Sequence, residues 1–167
     1  FYRHLRREGV LDRDPTADLR APRKSQRLPQ VLSRDEIARL LGAPKGTDPA
    51  ALRDRALLEL MYACGLRASE AIGLDVRDVD LTLGVLRARG KGSKERVVPI
   101  GREAVAATKA YVERGRPAFV GLGEEPRLFV NRRGGGLTRQ GLYKIVQRHA
   151  RAVGLEDRMS PHTLRHT

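Results

Sequence analysis

The sequence predicts a mainly α-helical domain carrying a small antiparallel β-hairpin, an α+β fold. Three observations predict it. Apolar residues recur at helical spacing through ALRDRALLELMYACG (51–65), through REAVAATKAYVERG (102–115) and again after Thr138. Helix-start signals stand at Ser33 and at Ser160-Pro161. Two β-prone runs, VLRARG (85–90) and ERVVPI (95–100), flank the glycine- and lysine-bearing tip GKGSK.

In chain order, Phe1 to Arg20 starts helical and breaks at Asp14-Pro15, because a residue before proline avoids the α region. Leu19 to Pro29 carries two prolines, four bases and no acid, the composition of an extended basic linker, so a domain boundary falls at 21–29. Ser33 and Glu36 form a capping box that opens a helix to about Leu41. After the turn residues GAPKGTDP, a largely buried helix runs to Cys64, with Gly65 suited to end it. A short third helix runs from Arg67 to Gly73, and DVRDVD (75–80) reads as a turn entering a strand. Beyond the hairpin come a helix over 102–115, an irregular stretch to Gly136, a long helix from Thr138 to Val153 and the first turn of another helix after Ser160. Tyr62, Cys64 and Tyr111 fall on apolar helical stretches and are expected in the core, whereas His4 and His149 are expected at the surface.

Charge narrows the function. Lys+Arg 33 against Asp+Glu 20 leaves +13 over 167 residues, and a chain so basic is expected to meet a polyanion. Aromatic residues at 4% with no Trp give little material for stacking single-stranded bases, so duplex backbone is the better fit. One Cys excludes a disulfide framework and a cysteine zinc cluster. No apolar run is long enough to cross a bilayer, and FYRHLRREG is too charged for a signal peptide. The sequence reads as a soluble, cytoplasmic protein.

Three clusters could carry chemistry. His162 and Arg165 share a face of the helix opened by Ser160, beside its unpaired amides, which suits a phosphate; a decorated surface turn is the other reading. Arg67 follows Gly65-Leu66 with Glu70 one turn later, either a planar fork for phosphate oxygens oriented by a carboxylate or a local ion pair. Lys91 and Lys94 ride the hairpin tip, either against a phosphodiester, with Lys91 able to donate a proton, or merely solvated. Arg132 and Arg133, before three glycines, and Arg139, at a helix start, are candidates for DNA backbone contacts or plain surface charge. Asp75, Asp78 and Asp80 are not expected to hold metal.

GLRASEAIGLDVRDVD, GKGSKERVVPI and SPHTLRHT, in this order, resemble the catalytic domain of the tyrosine recombinases, in the branch of Xer-type recombinases and phage integrases. LPQVLSRDEIARLL resembles the start of that domain. The resemblance implies a DNA breaking-rejoining catalytic-domain fold over 30–167, a linker at 21–29 and, over 1–20, a remnant of the N-terminal SAM-like core-binding domain. By position it makes Arg67, Lys91, His162 and Arg165 catalytic: the arginines grip the scissile phosphate, the lysine is general acid to the leaving 5′ oxygen, and the histidine is base or phosphate ligand. Glu70 and His166 support the site, and Lys94 and Arg96 join the DNA-binding residues. The implied activity is site-specific DNA recombination or integration through a 3′-phosphotyrosyl intermediate, with no cofactor. In the Xer branch it serves chromosome segregation.

The partner it implies is double-stranded DNA, held by a homo- or hetero-tetramer on two sites. The family's nucleophilic tyrosine lies downstream of HxxR, and none of Tyr2, Tyr62, Tyr111 and Tyr143 stands there. The 167-residue chain alone is therefore expected to be a monomer and inactive in cleavage. Two alternatives stand beside this: a non-catalytic DNA-binding remnant and a relative of type IB topoisomerases.

Overall fold

The structure, a computed structural model, describes residues 2–13, 32–90 and 95–159. The expected linker, Lys91, Lys94 and the helix turn with His162, Arg165 and His166 lie outside the described residues.

Helix α1 spans Tyr2–Arg7. Helix α2, Arg34–Leu41, begins on the expected capping box: the Ser33 hydroxyl accepts from the Glu36 amide at 3.2 Å, and Glu36 Oε2 accepts from the Ser33 amide at 2.8 Å. Its buried residues, Ile37 and Leu40, are three apart and share one face. Helix α3, Pro49–Ala63, starts where Asp48 accepts from the amides of Ala50 and Ala51, with proline at a position whose missing N–H costs nothing. Ala56, Leu57, Leu58, Leu60 and Met61 are all buried, so α3 is enclosed on most sides and forms the axis of the domain. It ends as Gly65 takes φ +56°, a left-handed turn that glycine adopts without strain.

Helix α4 is Ala68–Gly73. A 3-10 turn at Val76–Asp78 leads into a three-stranded antiparallel sheet of order β1-β2-β3: Val79–Asp80, Val85–Arg89 and Glu95–Pro99. The hairpin register pairs Leu86 with Val98, Ala88 with Arg96 and Arg89 with Glu95. Leu86 and Ala88 point inward while Arg87 and Arg89 point outward, the period-2 alternation of a half-covered sheet.

Helix α5, Arg102–Ala110, packs on α3 and widens into a π-turn over Tyr111–Gly115. Gly115 permits close passage there, since a Cβ would stand 3.2 Å from both the Pro49 carbonyl oxygen and Leu52 Cβ. Tyr111 is fully buried, stacked on Phe129 at 5.8 Å, and its hydroxyl accepts from the Val130 amide at 3.3 Å. A single turn, α6 (Pro117–Val120), interrupts the stretch expected to be irregular, and α7 follows at Arg139–Ala152. Among the described residues, no helix is long and apolar enough to cross a membrane.

Two expectations need correction. Tyr62 lies on the outer side of α3 and is 38% exposed, because the core-facing positions around it belong to Leu58, Leu60 and Met61. His149 is nearly enclosed, not superficial: its Nε2 lies 2.9 Å from Oδ2 of Asp54, a carboxylate buried in α3. Cys64 is buried as expected, and burial pushes its thiol up to about 11.

Candidate active site

The chain leaves α3 through Gly65, buries Leu66 completely and presents Arg67 as the residue before the first turn of α4. Glu70 then reaches back. Its Oε2 accepts from the Arg67 amide at 2.8 Å, and its Oε1 accepts from Arg67 Nη1 at 3.1 Å. From the sheet, Arg96 closes on the same carboxylate with both terminal nitrogens, Nη1 to Oε1 at 2.8 Å and Nη2 to Oε2 at 3.0 Å. The Glu70 side chain is 2% exposed, so a buried charge is fully met by donors, as it must be to persist. Burial pushes its carboxyl upward, but the hydrogen bonds from Arg96 and Arg67 outweigh that and bring it down to about 2.

Arg67 itself is half exposed, its side chain at 50%, and lines an open cleft of about 510 Å³ together with Ser69, Glu70, Arg89, Gly90 and Arg139. Arg139 comes from the first turn of α7, where the Thr138 hydroxyl accepts from the Gly141 amide at 3.1 Å. Arg89 comes from the end of β2. Its Nη2 donates to Asp78 at 2.9 Å and its Nε to Glu95 across the hairpin at 3.2 Å, which fixes the stem as far as Gly90. Three arginines around one committed carboxylate leave a net positive, open cleft. Its chemistry is that of a phosphate receptor, with Arg67 able to offer a planar fork to two oxygens.

Of the expected site residues, the structure thus brings Arg67, Glu70 and Arg139 into one cleft and places Arg96 behind it, with both terminal nitrogens on Glu70. Arg132 and Arg133 are exposed on a turn with Gly134 at φ +83°, outside the cleft lining. Arg89 was missed by sequence reading, although its outward position on β2 immediately before the glycine was a usable signal. DVRDVD turns out to supply partners for arginines: Asp75 for Arg127 at 3.1 Å and Asp78 for Arg89.

An α+β domain of this helix order, with its small three-stranded sheet, has the catalytic-domain fold of the tyrosine recombinases. A family model described as the phage integrase family matches residues 30–167, and the chain belongs to that family. Over its whole length it is 42% identical to the tyrosine recombinase XerD of Halalkalibacterium halodurans, covering 56% of that protein. It is likewise 42% identical, over 171 aligned residues, to the tyrosine recombinase XerC of Pelotomaculum thermopropionicum, again covering 56%. The chain thus spans a little over half the length of these relatives. Among solved structures, XerA recombinase superposes with a TM-score of 0.70 at 26% identity, over 81% of this chain and 47% of that one. XerH site-specific recombinase in a pre-cleavage complex with its difH substrate gives 0.71 at 27%, over 84% and 42%.

Proposed function

We propose that the chain supplies most of the catalytic domain, residues 30–167, of a site-specific DNA recombinase that cuts and rejoins duplex DNA through a 3′-phosphotyrosyl intermediate. Residues 1–20 belong to a core-binding domain and 21–29 to the basic linker between the two. The observation that carries this reading is the cleft in which Arg67, fixed by Glu70, shares space with Arg139 and Gly90, the residue before Lys91. In the reaction, Arg67 and Arg165 hold the non-bridging oxygens of the scissile phosphate and stabilise the charge of its five-coordinate transition state. A tyrosine oxygen attacks phosphorus, the bond to the 5′ oxygen breaks, and Lys91 gives that oxygen its proton. His162 acts as base or phosphate ligand. A 5′-hydroxyl of the second strand reverses the step, so the energy of the phosphodiester is retained and no cofactor is needed.

Among the described tyrosines, Tyr111 is unsuited to attack, because it is buried and its hydroxyl is occupied by Val130. The working unit in this reading is a tetramer on two DNA sites in the cytoplasm, and its Xer-type relatives point to chromosome segregation. The test uses the full-length gene product and a pool of nicked suicide duplexes drawn from the source genome. The expected result is a denaturation-stable protein–DNA adduct that Arg67→Ala lowers by about 10²–10³-fold. Duplex affinity, spread over many phosphates, should fall much less. No adduct on any duplex, or equal loss of binding and cleavage in Arg67→Ala, would refute the reading.

A further inference from the structure

We propose that Arg96 is a positioning residue for the cleft: its two-pronged hold on Glu70 sets the orientation of Arg67 and couples that arginine to the hairpin stem. The inference rests on the reading of Arg67 as a phosphate ligand.

A helical pair three residues apart, such as Arg67 and Glu70, is a weak restraint alone, since both side chains are long and rotatable. Arg96 changes that. Its planar fork occupies both carboxylate oxygens at once, which fixes the plane of the carboxylate. The two atoms it fixes are the ones that receive the Arg67 amide and Arg67 Nη1. One buried carboxylate therefore transmits the position of β3 to Arg67.

The far end of this chain of hydrogen bonds is equally well held. Arg96 sits opposite Ala88 in the ladder, one residue after Glu95, at the start of β3. On the other strand, Arg89 is anchored to Asp78 and across to Glu95. Both strands of the stem are thus pinned to the body, β2 through Asp78 and β3 through Glu70. Hairpin stem and Arg67 form one unit, so a displaced stem would displace Arg67 as well.

The competing role for Arg96 is direct binding of a DNA phosphate through the donors that Glu70 leaves over, since its side chain is 39% exposed. Salt dependence separates the two. Removing a side chain that neutralises a phosphate lowers the slope of log affinity against log salt by about 1, whereas removing a positioning residue leaves it unchanged.

The experiment compares the full-length wild type, Arg96→Ala, Arg96→Lys, Glu70→Gln and the Arg96→Ala/Glu70→Gln double variant in single-turnover cleavage, and measures the salt slope for duplex binding. Arg96→Ala is expected to cleave about 10²-fold more slowly with an unchanged slope. Arg96→Lys, which keeps the charge and one prong, should recover part of the rate, and the double variant should be no slower than Glu70→Gln alone. Independent, additive losses, or an unchanged rate with a slope lowered by about 1, would overturn the proposal. Should Arg96→Ala fail to fold, Arg96→Lys and Arg96→Gln carry the same comparisons. If wild type forms no adduct on any duplex, the recombinase reading fails. The carboxyl titration of Glu70, followed by carbon NMR, then decides this one: a midpoint that rises in Arg96→Ala supports the coupling, and an unmoved midpoint refutes it.

Discussion

Two buried carboxylates in this molecule each hold a pair of arginines, and they serve opposite ends. Asp54, in α3, receives Arg53 through Nε at 3.0 Å and Nη2 at 2.9 Å, together with Arg148 and His149 from α7. Arg53 is itself buried, packs 5.6 Å over the Phe119 ring and gives its remaining Nη1 to the Val130 carbonyl at 3.1 Å. Asp54, Arg53 and His149 are turned toward the protein while Arg148 reaches in from a half-exposed position, and the result is a tie between α3 and α7. Glu70 is equally buried, and Arg67 beside it stands half in solvent with donors to spare, on a cleft it shares with Arg89 and Arg139. The two carboxylates are thus told apart by where the exposed arginine opens: Arg67 onto that cleft, Arg148 outside its lining. Burial pushes both carboxyls up, and the donors around them win, holding both below their ordinary values.

The largest expected effect attacks the structural member. Asp54→Asn keeps the shape and removes the charge, leaving Arg53 buried without its counterion, at a cost of about 3–5 kcal/mol. Denaturant unfolding measures it, and a loss under about 1 kcal/mol would show that Arg53 is satisfied by other groups. Next comes the acid limb of Glu70. A carboxyl held at about 2 in the fold, against 4.5 ordinarily, contributes stability that is complete above pH 4.5 and disappears as pH falls toward 2. That contribution is about 3 kcal/mol. Unfolding free energy followed from pH 6 to pH 2 should therefore fall more steeply in wild type than in Glu70→Gln, and parallel curves would contradict the geometry of the Arg67–Glu70–Arg96 cluster.

How much of this was legible in the sequence depends on reach. The Ser33 capping box, the Gly65 stop, the α4 start at Arg67 and the Arg67–Glu70 pair all act within a few residues, and local pattern found them. Arg96 lies 26 positions from Glu70, and His149 lies 95 from Asp54. No spacing rule reaches that far, so Arg96 looked like one more base on a hairpin and His149 like one more surface imidazole. One short element escaped for a different reason: α6 is one turn framed by Pro117 and Gly121, residues that ordinarily mark a loop. The strand entered from DVRDVD, by contrast, was legible in its turn residues. Tyr62 was misplaced because α3 is apolar nearly all round, so that periodicity does not show which narrow strip faces water.

The smallest effect gives the sharpest test of the division between the two carboxylates. In the Asp54 cluster His149 contributes a single hydrogen bond to a charged acceptor, and a glutamine can place an amide N–H near the same point. His149→Gln is expected to lose less than about 1 kcal/mol, whereas His149→Ala, which leaves a buried oxygen short of a donor, should lose about 1.5–3 kcal/mol. Neither variant should change single-turnover cleavage in the folded protein, because the tie serves α3 and α7 and has no donor turned to the cleft. Helix α7 does begin at Arg139, so a route from one cluster to the other exists in principle. A His149→Gln variant of normal stability but slower cleavage would mean that the Asp54 tie sets the position of Arg139 along the helix. The two carboxylates would then be parts of one site.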